Sequence, residues 1–581
     1  MMLPYLRGLV ALLPRDPGAA ARIAWWWLTG RRVRALAQFR RAVTPLPNSY
    51  RLWLAIHQPE TFRSKASIDG PRLAVHVHLT GSNPLNDALS SLVRQSFEDW
   101  ELYLTTTETE PPTVTARHAD DRRIHFWPVS VASRAAGLKA ILQETAAQYV
   151  VPLPADCVLT LGALLAYAHA IRDAATNAVF YADQDEYGAS GSRTTPWLKP
   201  EWDRDLFLAQ DYLSMACAIP VEAARNIAVD AGWPDEIAVY GILIELLACP
   251  DAAPARHVPY VATTTPPDVW QRGSSARAAL VANHVGVPVT TGPFGTLILH
   301  WPLPDPLPRV SIVIPTRDRI DLLRTCVDGI LHATDYPLLE LIIADNDSTE
   351  PASITYFNEI SRDPRVKIVR WPHPYNYSAI NNHAVTHAGG DYICLLNNDV
   401  EIIDPSWLRE MIAQAIRPGV AAVGARLLYA DRSVQHAGVV VGIGDAAGHA
   451  HRALADGQPG WFAQSLITRC ATAVTAACLV IEKAKFDAVG GLDAESLAIA
   501  YNDVDLCLKL RAAGWHNIYA SQAVLIHHES KSRGFDFAPE HITRYHQELL
   551  KFQERWQTVG FADPTHHPKL DPQSEQYRPG L

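Results

Sequence analysis

The sequence contains no CxxC pair, no apolar run long enough to span a bilayer and no excess of basic charge. Its eight cysteines are Cys157, Cys217, Cys249, Cys326, Cys394, Cys470, Cys478 and Cys507, scattered over 581 residues. That spacing excludes a disulfide scaffold and a zinc ribbon, and suits thiols buried in a reducing compartment. A membrane-spanning helix needs about 20 apolar residues. The longest apolar runs, such as residues 164–171, are core-sized. Residues 1–14 are partly apolar, with Arg7 as the lone charge, and have neither a basic start nor a cleavage site; they do not read as a signal peptide. Lys and Arg number 51 against 61 Asp and Glu, a net charge of -10. This balance argues against general nucleic-acid binding. What is present is core material: 48% hydrophobic and 19% charged residues exclude wholesale disorder.

At roughly 150 residues per domain the length suits two large domains or three to four smaller ones. Residues 1–70 stand apart. Arg7, Arg15, Arg22, Arg31, Arg32, Arg34, Arg40, Arg41 and Arg51 face only Asp16 in the stretch to residue 51. Residues 20–43 read as helix, with Trp25, Trp26 and Trp27 before an arginine-rich turn. Such a segment packs on the next domain by its tryptophans, or sits at a lipid headgroup surface through residues 20–45. From Arg72 onward strands and helices alternate, and a second such series opens at Arg309. Strand, helix, strand at this spacing implies right-handed crossovers and mostly parallel sheets. Pro302, Pro304, Pro306 and Pro308 make a stiff connector. The two series look like a repeat: Gln148 to Asp156 (QYVVPLPAD) lies against Asp391 to Asp399 (DYICLLNND), with Tyr149 on Tyr392, Leu153 on Leu396 and Asp156 on Asp399. The expected organisation is a basic helical segment (1–70), an α/β domain (71–300), a linker (301–308) and a second α/β domain with a tail (309–581).

In the second series acidic and polar groups fall at successive strand ends, where open α/β sheets hold ligands. They are Pro315-Thr316-Arg317-Asp318, Asp345-Asn346-Asp347-Ser348, Asn397-Asn398-Asp399, Tyr501-Asn502-Asp503-Val504-Asp505 and His527-His528. This set suits transfer of a sugar from a nucleotide diphosphate. A carboxylate after the second strand can accept from a base N–H or a ribose hydroxyl. Asp399 with Asn397 offers hard oxygen ligands for Mg²⁺ or Mn²⁺, and His527 or His528 could add an imidazole. Asp503 is the candidate general base, while Asp505 reads as a helix cap.

The motifs Val310–Pro315, Asp345–Ser348, Tyr377–Asn382, Leu395–Asp399, Asp503–Leu508 and His527–Gly534, in this order, resemble glycosyltransferase family 2, in particular its rhamnosyltransferase-like, O-antigen-type members. The resemblance implies a GT-A nucleotide-sugar fold and an inverting, metal-dependent hexosyl- or deoxyhexosyltransferase. Such an enzyme acts in the cytoplasm, in bacterial surface polysaccharide synthesis, on a glycan or lipid-linked acceptor. It places Asn397, Asn398 and Asp399 at the family's metal motif, with asparagine at its first position. It places Asp503 at the base, and Pro315, Thr316, Arg317, Asp345 and Asp347, with Asn381 and Asn398, at the donor site. A sugar-nucleotide nucleotidyltransferase would open with a glycine-rich basic loop after the first strand, and Pro315 to Arg319 has no glycine. A non-enzymatic polysaccharide-binding scaffold would not need Asp399 and Asp503.

The first series resembles the same family more weakly and keeps only one of its acids, Asp156. Thr106 falls where Asp345 does, Pro154-Ala155-Asp156 where the metal motif does, Ala238 to Leu243 where the base does, and Tyr260 to Thr263 where the histidine does. An inactive copy is expected. Gly442 to Gly448 reads as a loop, not a dinucleotide fingerprint. His436, His449 and His451 read as polar loop residues near the pocket, His76 and His78 as strand histidines, and Asp183, Asp185 and Glu186 as a solvated turn. The tail from Asp563 is expected to pack over the catalytic domain.

Overall fold

The computed structural model describes residues 2–44, 46, 49–58, 70–80, 85–108, 121–126, 131–174, 177–249, 252, 254–528 and 541–581. They divide into two compact units: residues 1–297 with 566–571 and 578–581, and residues 298–565 with 572–577. The tail is therefore shared, and only part of it belongs with the second unit.

In the second unit, the strands Val310–Thr316 and Leu339–Asp345 are buried along their whole length. Their near-continuous aliphatic sequence is that of parallel strands covered on both faces. Alternation sorts the side chains: Val310, Ile312 and Ile314 enter one core with the helices Ile320–Ala333 and Trp407–Ala415, and Val313 enters the other with Tyr377–Val385 and Asn502–Ala512. The order across the sheet is Val366–Arg370, Leu339–Asp345, Val310–Thr316, Tyr392–Leu396, Cys478–Glu482, Val420–Leu428, His516–His527 and Val400–Ile402. The first four strands are parallel, and Cys478–Glu482 runs against both neighbours.

The first unit repeats this topology strand for strand. Its order is Ile124–Phe126, Trp100–Thr106, Leu73–Leu79, Tyr149–Pro152, Cys217–Pro220, Phe180–Tyr187, Arg256–Thr265 and Val158–Leu159. Each pair runs in the same relative direction as its counterpart. The α/β class expected from the sequence is the one found, as two units of the same strand order preceded by helices.

Those helices are Met2–Leu12, Pro17–Leu28, Arg32–Val43 and Ser49–His57. The single helix expected over residues 20–43 is broken at Gly30, whose φ of 78° ends the second helix. Asp16 starts that helix by accepting the Ala19 N–H at 2.8 Å, with Pro17 in the first turn. Ile23, Ala35, Phe39, Leu52 and Trp53 are buried among them.

Candidate active site

Thr316 and Asp345 end neighbouring parallel strands and pair in register, and Asp345 pairs in turn with Arg370. The carboxyl ends of three strands thus present threonine, aspartate and arginine side by side. Asp345 is buried, and its Oδ1 accepts the Ser348 N–H at 2.9 Å. Arg370 lies 3.5 Å from Asp345 Oδ2 and 2.9 Å from Asp347 Oδ1. Ser348 Oγ accepts the Asp318 N–H at 2.8 Å, while Asp318 Oδ1 accepts the N–H groups of Thr349 and Glu350, both at 2.9 Å. These bonds lace the two strand-end loops into one rim. Pro315 is buried within its strand and Arg317 is exposed on the rim. Asn398 donates to Thr316 Oγ1 at 3.0 Å. Asn381, fully buried in its helix, donates to Tyr377 O at 2.8 Å.

The second cluster centres on Asp399. His527 Nε2 lies 3.1 Å from Asp399 Oδ1 and 3.3 Å from the side-chain amide of Asn397. Its Nδ1 is 2.7 Å from Gln435 Oε1. Nδ1 donates to Gln435, and Nε2 faces the Asp399 carboxylate oxygen and the amide nitrogen of Asn397. Burial alone would raise the Asp399 carboxyl, but the hydrogen bond from His527 and its charge outweigh that and hold it low. Asp399 Oδ1 and His527 Nε2 are a carboxylate oxygen and an imidazole that suit Mg²⁺ or Mn²⁺, whereas Asn397 turns its amide nitrogen to His527 and its Oδ1 to Tyr377 OH. His528 points elsewhere. Neighbouring strand residues face opposite sides, and His528 Nε2 meets Glu401 Oε2 at 2.8 Å. Of the two candidate histidines, only His527 is brought to the carboxylate. The rest of that motif, residues 529–534, lies outside the described residues.

Asp503 sits in the first turn of the helix Asn502–Ala512, partly buried. Its Oδ2 accepts the Ala476 N–H at 3.0 Å. Burial pushes its carboxyl up against the hydrogen bonds from Ala476 and Thr475. Tyr377 OH joins the two clusters, lying 3.1 Å from Ala476 O and 3.4 Å from Asn397 Oδ1. Asp505 is not a cap. The N-cap is Tyr501, and Asp505 is fully buried against Arg555 Nη1 at 2.8 Å, Trp556 Nε1 at 2.9 Å and Lys509 Nζ at 3.4 Å. Sequence reasoning also missed Arg370 and Gln435, and named Tyr377 only as the start of a motif. Arg370 had a signal, being the last residue of the strand next to Asp345. Gln435 had none.

The histidines near Gly442 are packed inside, not on a polar loop. His436 is buried, with Nδ1 2.8 Å from Ala425 O and Nε2 accepting the Thr475 N–H at 3.3 Å. His449 stacks edge-on against it, with ring centroids 5.4 Å apart. His451 stacks on Tyr577 of the tail at 4.5 Å. Burial lowers His436 to about 3 and His449 to about 4.

In the first unit the matching positions differ. Thr106 ends its strand where Asp345 does, and Val239 is second in the helix Ala238–Leu247, as Asp503 is in its own. Val158 pairs with Thr264 as Val400 pairs with His527. Thr264 and Thr265, rather than residues 260–263, therefore stand at the histidine position. Asp156 is held by Arg272 at 3.3 Å. His76 and His78 lie buried on their strand, both bonded to Thr105 Oγ1. Asp183, Asp185 and Glu186 are a buried strand segment, not a solvated turn. Folding supplies their partners: His257 at 2.9 Å and His567 at 3.0 Å for Asp183, and Arg193 at 2.6 Å and Tyr50 at 2.7 Å for Asp185. Asp183, His257 and His567 are close enough to share a metal. However, His567 Nδ1 accepts the Lys569 N–H at 3.0 Å. Its Nε2 therefore carries the proton that Asp183 accepts, and the trio is a hydrogen-bonded network.

Residues 311–439, which include the rim, Asn397, Asp399 and Gln435, match the family described as Glycosyl transferase family 2. Over that stretch the chain is similar to family 2 glycosyltransferases. An uncharacterized protein of Sinorhizobium fredii, y4gI, is 36% identical over 528 residues, covering 86% of this chain and 58% of that protein. The O-antigen biosynthesis protein RfbC of Myxococcus xanthus is 32% identical over 535 residues, covering 86% of this chain and 41% of that protein. The chain spans about half the length of these curated relatives. Among solved structures, a mannosyltransferase from Pyrobaculum calidifontis in complex with GDP-Man and Mn²⁺ is similar at 19% identity. It covers 45% of this chain and 67% of its own, with a TM-score of 0.33. The family 2 match ends at residue 439, so Asp503 and His527 come from the sequence beyond it, within the same unit.

Proposed function

We propose that the second unit is an inverting, divalent-metal-dependent glycosyltransferase. It moves a sugar from a nucleotide diphosphate sugar to a hydroxyl of a glycan or lipid-linked acceptor, in bacterial surface polysaccharide synthesis. The observation that supports this reading is the approach of Asp399 Oδ1 to His527 Nε2 beside Asn397, with Asp503 joined to the same place through Tyr377 and Ala476. Asp399 and His527, with Asn397 beside them, would hold Mg²⁺ or Mn²⁺. Bound there, the cation neutralises charge on the departing diphosphate. Asp345 and Asp347, turned by Arg370, face the nucleoside, with Thr316, Arg317 and Asn398 at the same rim. The acceptor oxygen forms a bond to the anomeric carbon as the bond from that carbon to the diphosphate oxygen breaks. Asp503 takes the acceptor proton, and its raised affinity for protons suits that task. The first unit lacks these groups and serves in packing, acceptor binding or partner contact.

A lipid-linked acceptor places the reaction at the cytoplasmic face of a membrane, with peripheral contact through residues 20–45. Among the described residues no helix is long and apolar enough to cross a membrane. The test is donor-dependent release of nucleoside diphosphate from the full chain, with and without chelator. Release that stops with chelator and returns with Mn²⁺ is expected. Full release in excess chelator would refute the metal role.

A further inference from the structure

The N-terminal helices leave apolar side chains in solvent. Leu6, Val10 and Leu13 are 58%, 59% and 50% exposed, and Trp25 and Leu28 are 63% and 83% exposed. Leu6 and Val10 on the first helix and Leu13 just past its end recur at intervals of four and three residues, so they form one stripe. A cavity of about 340 Å³ opens among the first three helices, lined by Tyr5, Leu9, Ile23, Trp27, Leu36 and Phe39, with Leu6 and Leu28 also lining it. Around this apolar ground Arg7, Arg15, Arg22, Arg31, Arg32, Arg34 and Arg40 are all exposed. None of them pairs with a carboxylate among the described residues. Asp16, the lone acid up to residue 51, is occupied as a helix cap.

We propose that these three helices dock on an anionic bilayer. The leucine stripe, Trp25 and Leu28 enter the acyl region, the cavity receives a lipid acyl chain, and the arginines bind the headgroup phosphates. The helices have 11, 12 and 12 residues. At about 1.5 Å per residue they fall far short of the ~30 Å hydrocarbon core, so they lie in the interface rather than span it. The unpaired positive charge selects the partner. A protein core would strand seven guanidiniums without counter-ions, whereas an anionic leaflet supplies one phosphate for each.

This inference deepens the membrane contact named above and needs neither donor nor acceptor. Its test, flotation of the full chain with vesicles, is therefore independent of the transferase assay. Binding to mixed phosphatidylcholine and phosphatidylglycerol vesicles, weakened by salt and lost on pure phosphatidylcholine, is the expected result. Arg7→Gln with Arg22→Gln and Arg34→Gln should weaken binding by about a hundredfold. Leu6→Gln with Leu28→Gln should weaken it at least about tenfold while salt dependence persists. All five residues are exposed, so the far-ultraviolet circular dichroism of both variants should match the parent. Equal flotation on neutral and anionic vesicles, or binding unchanged in both variants, overturns the proposal. So does a concentration-dependent dimer, lost in Leu6→Gln with Leu28→Gln, in a chain that does not float; a second copy would then be the occupant of this face.

Discussion

Gln435→Leu separates the orientation of His527 from the ligand atoms themselves. Gln435 is buried, and its Oε1 lies 2.7 Å from His527 Nδ1, while the opposite ring nitrogen lies 3.1 Å from Asp399. Leucine is one atom shorter and accepts no hydrogen bond. The imidazole then loses the bond that keeps a proton on Nδ1 and turns Nε2 toward Asp399. Loss of such a supporting partner typically costs 10- to 100-fold in metal affinity, or about 1.4 to 2.7 kcal/mol. Folding stability should also fall by about 1–3 kcal/mol, because a buried donor is left without an acceptor. The assay is calorimetric titration of Mn²⁺ into the full chain with nucleoside diphosphate present, with thermal melts in parallel to confirm folding. His527→Ala should be weaker still, since it removes the ligand atom. Mn²⁺ affinity unchanged in Gln435→Leu but lost in His527→Ala would refute the positioning role of Gln435. Unchanged affinity in both would remove His527 from the site.

Asp505→Asn should lower stability by about 2 kcal/mol, because it leaves Arg555 facing a neutral amide; the estimate is held down by the partial exposure of that arginine. Asparagine caps helices as well as aspartate does, so an unchanged denaturation midpoint would return Asp505 to the role of a cap. Stability should also fall with acid before the carboxylates titrate. Burial holds His436 at about 3 and His449 at about 4, against about 6.5 in the unfolded chain. The folded state resists protonation at both. Their stabilising contribution is therefore complete above about pH 6.5 and declines below it, by up to about 1.4 kcal/mol per pH unit for each. Melting temperatures measured from about pH 7 down to pH 5 should fall steadily, and a flat profile over that range would contradict the neutral burial of these rings.

Much of the architecture is written in local pattern. The runs VSIVIPT and LELIIAD announce buried parallel strands, and the likeness of QYVVPLPAD to DYICLLNND announces a repeated unit. The order of the polar motifs is the order in which strand ends and the helix start reach one side of the sheet. What stays illegible depends on partners far away in sequence. Asp505 meets Arg555 and Trp556, 50 and 51 residues on. Asp183 meets His257 at a separation of 74 and His567 at 384, so an acidic run that looks solvated is in fact buried. The choice between His527 and His528 needs a register. The pairing of Val400 with His527 turns that ring toward Asp399 and sends its neighbour to Glu401. Gln435 reaches His527 from 92 residues away on a short strand, and no motif marks it.

The central claim is that transfer takes place in the second unit with Asp503 as the base, and one kinetic comparison tests it most directly. Initial rate and donor affinity are measured for the parent chain, Asp503→Asn and Asp156→Asn under the same conditions. Asp503→Asn keeps the side-chain shape and removes proton acceptance. It should lower turnover at least ~100-fold with donor affinity little changed. Asp156→Asn, which only loosens a contact with Arg272 in the first unit, should transfer at the parent rate. An active Asp503→Asn beside an inactive Asp156→Asn would reverse the assignment of the two units.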